Sequence, residues 1–234
     1  VLIASVSLLL SCEGTAQVPD FNNPIAPPTQ VLTQTDISDA LKQALQFGID
    51  SAVAQASAAG GFLNDGRLRI PFPPQAEKVE QKARQLGLGA QADEFVETMN
   101  AAASEASKKA TPIFVDAIKR MTIQDAQGIL QSDNHRAANE YLERTTSDQL
   151  YTAFKPDVRA EIKSVGVTSV WNPIVSKYNA LPMTEDVNPD LEDYVTQKTL
   201  VGLFLLVAEE EKKIRENPEE RVTDLLKKAF GSND

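Results

Sequence analysis

One stretch limits the fold more than any other: residues 188–217, NPDLEDYVTQKTLVGLFLLVAEEEKKIREN. Both ends carry helix signals. Asn188 or Asp190 can cap the start, and Pro189 suits a first helical position, where its missing N–H loses nothing. Asp190, Glu192 and Asp193 fall in the first turn, where the macrodipole favours negative charge; Lys212, Lys213 and Arg215 fall near the end, where it favours positive charge. Pro218 stops the helix. Residues 200–208 between these ends are apolar on every side. Such a segment is buried or in a membrane. A membrane span needs about 20 apolar residues, and this run has under half of that. The expected structure is therefore a helical domain built around this segment.

Lys198 conflicts with that reading. It shares a direction with Leu191, Val195, Gly202 and Leu205, and Glu209 returns to nearly the same direction eleven residues on, at roughly 100° per residue. A core-facing lysine needs a carboxylate partner or a route to water. Its stem can instead pack while the ammonium reaches solvent.

Shorter helices fill the chain before this segment. Ile37, Leu41, Leu45, Ile49 and Val53 repeat at helical spacing, predicting a helix over 35–57. The sequence GFLNDGRLRIPFPP follows, with a turn at Asn64-Asp65-Gly66 and a short extended piece, Leu68, Ile70 and Phe72, which Pro71 excludes from a central strand. Helices are expected over 74–86, 90–109 and 113–121, the last opened by Thr111-Pro112. Thr122 and Asp125 form a capping box opening a helix to residue 130. Further helices are expected from Ser132 to Leu142, from a second capping box at Thr146 and Gln149 with a break at Pro156, over 169–179, and over 218–230. The fold class is all-α: about ten helices in one domain, residues 35–231, with a tail at 232–234.

The −10 net charge argues against nucleic acid as a partner, since phosphate binding needs clustered Lys and Arg. It also opposes attraction to anionic lipid. The only cysteine is Cys12, so no intrachain disulfide can form. It ends VLIASVSLLLSC, an apolar run reading as a signal-peptide segment whose true start precedes the given chain. Leu9-Leu10-Ser11-Cys12 resembles the bacterial lipobox, in which the cysteine is diacylated and becomes the first mature residue. The alternative is an ordinary signal peptide cleaved near Ala16, but Glu13-Gly14-Thr15-Ala16 is a poor small-residue site. Residues 1–11 are thus a signal remnant. Residues 12–34, with Pro19, Pro24, Pro27 and Pro28, form a semi-extended tether. The expected address is the periplasm, lipid-anchored at Cys12 in the outer membrane, because Glu13 is less decisive than Asp for inner-membrane retention.

The strings GFLNDGRLRIPFP, PIFVDAIKRMTIQDAQGIL, YLERTTSDQL and DYVTQKTLVGLFLLVAEEEKKIRENPEERVTDLLKKAFG resemble the bacterial family known as domain of unknown function 4197, over residues 36–231. The resemblance implies a secreted or lipid-anchored helical protein of Gram-negative bacteria. It brings no catalytic residues.

Few motifs carry chemistry. Tyr194-x-x-x-Lys198 has the spacing of a short-chain dehydrogenase pair, but no G-x-G-x-x-G accompanies it. Asp186-x-Asn188-x-Asp190 starts like an EF-hand loop, yet Leu191 and Gln197 stand where Gly and Glu are required. His135 is the only histidine, which argues against zinc and reads as a solvated helix-start residue. No metal and no cofactor are expected. The remaining candidate is a polar cleft in which Asp116 and Arg120, an i,i+4 pair beside Thr122 and Asp125, face Lys198 and Glu209, with Arg144 and Arg69 joining. Two functions follow: a lipid-anchored binding or accessory module with an unknown protein or small-molecule partner, or a hydrolase-like enzyme using that cleft. Converging carboxylates in a deep pocket favour the enzyme.

Overall fold

The computed structural model describes residues 33–85, 87–164, 171, 176 and 190–217. The signal, lipobox and tether readings up to residue 32, the loop before Asp190, and the helix expected over 218–230 lie outside the described residues. Of the helix expected over 169–179, only Trp171 and Ser176 are described, both helical. The chain divides into residues 1–31 and residues 32–234, and everything described belongs to the second unit.

Among the described residues every regular element is helical: α1 (Gln34–Ser57), α2 (Glu77–Gln85), α3 (Gly89–Ser107), α4 (Ala110–Arg120), α5 (Ile123–Leu130), α6 (Ala137–Ser164) and α7 (Leu191–Glu216), with one 3-10 turn at Pro74–Ala76 leading into α2. None is long and apolar enough to cross a membrane. α7 lies against α1, α3 and α6; α4 bridges α1 and α6, and α5 packs on α1. Phe114 of α4 meets Phe204 of α7 edge to face, with ring centroids 5.8 Å apart.

The capping boxes behave unequally. Thr122 and Asp125 cap each other as the sequence predicts. α1 starts earlier than predicted, because Thr33 and Asp36 form a capping box of their own. Asp190 rather than Asn188 caps α7, accepting from the Asp193 N–H at 2.9 Å.

The Thr146 box does not form, so two expected helices are one. Thr146 is buried and its hydroxyl donates to the Leu142 carbonyl at 2.6 Å, a bond within the helix rather than a cap. Pro156 does not break α6 either. A mid-helix proline opposes a helix by about 3 kcal/mol. Leu142, Leu150, Phe154, Val158 and Ile162 are all fully buried along this helix, and each such side chain contributes about 1.5–3 kcal/mol. Packing wins by several-fold.

Thr111-Pro112 likewise does not open α4, which begins at Ala110. Pro112 sits in the first turn, where an N–H has no intrahelical acceptor to lose.

α6 and the start of α7 are also clasped electrostatically. Tyr151, Lys155 and Arg159 follow at i, i+4 and i+8 on α6. The Tyr151 hydroxyl donates to Asp193 at 2.7 Å, Lys155 reaches Asp190 at 3.2 Å, and Arg159 reaches Glu192 at 2.7 Å. The acidic first turn of α7 thus serves a neighbouring helix as well as its own dipole.

Candidate functional site

The apolar run of α7 is not buried all round. Its outward side holds Val201, 65% exposed, and the partly buried Leu205. The buried side continues past the run to Glu211, of which 5% is exposed. The Glu211 carboxylate accepts the Ala138 N–H (3.0 Å) and the Asn139 N–H (2.8 Å). Both belong to the first turn of α6, where N–H groups lack intrahelical acceptors and the dipole is positive. Arg215, one turn on, donates to the same carboxylate through Nε (3.0 Å) and Nη2 (2.8 Å), and Nη2 also donates to the Ile129 carbonyl (2.9 Å). With its amide oriented to satisfy both ends, Asn139 donates to the Phe204 carbonyl at 2.8 Å and accepts from Arg136 at 3.3 Å. The Glu211–Arg215 pair therefore holds α5, the start of α6 and α7 together. A recess of only about 10 Å³ adjoins it, lined by Leu41, Ala44, Leu45, Ala138 and Ile214 besides the ion pair. With four donors on Glu211, this is a structural joint, not a base poised for a substrate.

The loop between α1 and the 3-10 turn is the second built region. Asn100 of α3 accepts from the Ile70 N–H (2.8 Å) and donates to the Ile70 carbonyl (2.9 Å), much as a neighbouring strand would. The Phe62 N–H donates to Ser104 at 3.4 Å. The Tyr194 hydroxyl donates to the Pro71 carbonyl at 3.2 Å. Phe62 lies against Gly202 so closely that a Cβ there would sit 2.7 Å from its ring, and a Cβ on Gly61 would meet the Gln55 carbonyl oxygen at 2.4 Å. Phe62, Leu68, Ile70 and Phe72 are buried; Phe72 stacks on Phe95, which meets Trp171. At the surface, Arg67 bonds Asp65 at 2.6 Å and also bonds Glu209. The Arg67 guanidinium holds the Asp65 carboxyl down at about 2. Burial pushes the Tyr194 phenol up to about 12.

The residues of the expected polar cleft fall in separate places. Asp116 and Arg120 pair at 2.5 Å, both more than half exposed. Exposed Arg144 lies over the Tyr141 ring, 5.7 Å from its centroid, near Asp125. Burial raises the Tyr141 pKa, while Arg120 and Arg144 act in the opposite sense. Arg120 at the end of α4 and Arg144 on α6 thus both lie near Tyr141. Lys198 is on another face, exposed, its ammonium 5.9 Å from the Tyr194 ring centroid. Glu209 bonds Arg67, not Lys198. Eleven helical residues separate the two by roughly 16 Å along the axis, so a shared direction is not a shared location. Arg69 is exposed in the loop that Tyr194 braces. His135 is exposed too, and no cluster able to hold a metal occurs among the described residues. The expected change for Lys198→Met is under about 0.5 kcal/mol in a urea melt. A loss above about 2 kcal/mol would mean that the ammonium has a buried partner in its own chain.

Sequence reasoning missed Glu211, Arg215 and Asn100. The signal was present. Glu211 recurs at helical spacing with buried Val207, Ala208 and Ile214, and Asn100 with buried Val96, Ala103 and Ser104. The argument applied to Lys198 fits Glu211 better.

The family described as protein of unknown function (DUF4197) matches residues 31–231. No curated protein matches, and no solved structure does.

Proposed function

The chain belongs to the DUF4197 family, and from that premise we propose that it is a lipid-anchored periplasmic module that acts by binding or as an envelope accessory, not by catalysis. The observation that carries this reading is the use made of the buried polar groups. Glu211, Asn100 and Asn139 each face the donors or acceptors of another segment's backbone. They stiffen a scaffold. The hydrolase-like alternative rested on Lys198, Glu209 and Asp116 converging in one cleft, and they do not converge.

The Leu9–Cys12 string and the four prolines after it support an anchored domain held off the outer membrane by a tether. Diacylation of Cys12 supplies two chains, which stable anchoring requires. Cys12→Ser in the native host should move the protein from the membrane to the soluble fraction and abolish labelling by a palmitate analogue. Unchanged partition and labelling would refute the anchor.

A further inference from the structure

We infer that the outward side of α7 is a contact surface for a second copy of this chain, packed antiparallel, α7 against α7. Tyr194, Lys198, Val201 and Leu205 recur on α7 at spacings of four, three and four, the seam that a facing helix fills. They lie away from the buried side defined by Val195, Leu203, Phe204, Leu206 and Val207. Val201 is the most exposed large apolar residue described, at 65%. Tyr194 and Leu205 beside it are partly buried, and Lys198 is exposed.

The order of charge along this seam names the occupant. Lys198 stands at one end of the Val201–Leu205 pair and Glu209 near the other. Within one chain they lie too far apart to meet. A twofold axis between Val201 and Leu205 sets Lys198 of each copy against the acidic end of the other, and Val201 against Leu205. Such an interface is isologous, using one patch twice. A parallel pair would instead set lysine against lysine and glutamate against glutamate. Arg67 does not cancel the acidic end, because Asp65 and Glu209 share it. The Glu209 side chain remains 32% exposed. Two chains of net charge −10 repel in general, so association depends on this local match. A single-helix seam sits at the small end of interface sizes, giving a reversible, concentration-dependent dimer.

Sedimentation of the protein carrying Cys12→Ser, over a range of concentrations, tests this. The expected result is a monomer–dimer equilibrium. Val201→Glu should weaken it at least about tenfold, because it puts charge at the centre of the contact. Circular dichroism should not change, nor should melting at concentrations where the protein is monomeric, since Val201 is on the surface. Lys198→Glu should weaken it as well, and adding Glu209→Lys should restore it. A monomer at every concentration would overturn the proposal, as would a dimer that Val201→Glu leaves intact. A photo-crosslinker at position 201 that captures a different protein in the host, with none of the second copy, would also overturn it.

Discussion

Glu211→Ala should lower the free energy of unfolding by about 3–5 kcal/mol, the range for removing one partner of a buried ion pair. Three losses combine. The Arg215 guanidinium, 12% exposed, keeps its charge but loses the carboxylate. The Ala138 and Asn139 N–H groups lose their acceptor, and each unsatisfied buried donor is worth about 1–3 kcal/mol. The positive end of the α6 dipole loses its anion. The terms overlap, so they do not sum. Urea melts give the value. Arg215→Met should be milder, because two N–H donors still hold the carboxylate. The double variant should be less destabilised than the sum of the singles, since it removes the charge that the first strands. A loss under about 1 kcal/mol for Glu211→Ala would show that water replaces the carboxylate at the start of α6.

Phe62→Ala is expected to have a similar effect, about 3–5 kcal/mol. Phe62 is fully buried and wedged between the loop and α7, with Leu68 beside it. Its removal opens a cavity under the loop. The loop cannot collapse to fill that cavity, because Asn100 and Tyr194 hold Ile70 and Pro71 from two helices. The converse variant tests the same wedge. Gly202→Ala forces a methyl 2.7 Å from the ring and should be worse by about 1–3 kcal/mol. Phe62→Leu combined with Gly202→Ala should recover part of that loss. Purely additive effects would mean that the two residues do not share a contact.

The sequence determined by itself what depends on neighbours a few residues away. The apolar period predicted α1 and α7, Thr122 with Asp125 predicted the start of α5, and Asp190 was one of two candidate caps for α7. Caps and periodicity are made by residues within one or two turns, so local order alone encodes them. The all-α class follows from the same signals.

Tertiary structure decided the rest. α6 runs through Thr146 and Pro156 because Phe154, Val158 and Ile162 are buried against other helices, and no local signal states that burial. Lys198 and Glu211 both stand on a helix rich in apolar residues. One reaches solvent over Tyr194, and the other joins the start of α6, 73 residues away in the chain. The loop at 61–73 has no regular structure of its own and takes its form from α3 and α7. The physical reason is common to all three. A buried charge, a proline inside a helix or an irregular loop is stable only if groups distant in sequence supply its hydrogen bonds and packing. The packed fold alone fixes which distant groups those are.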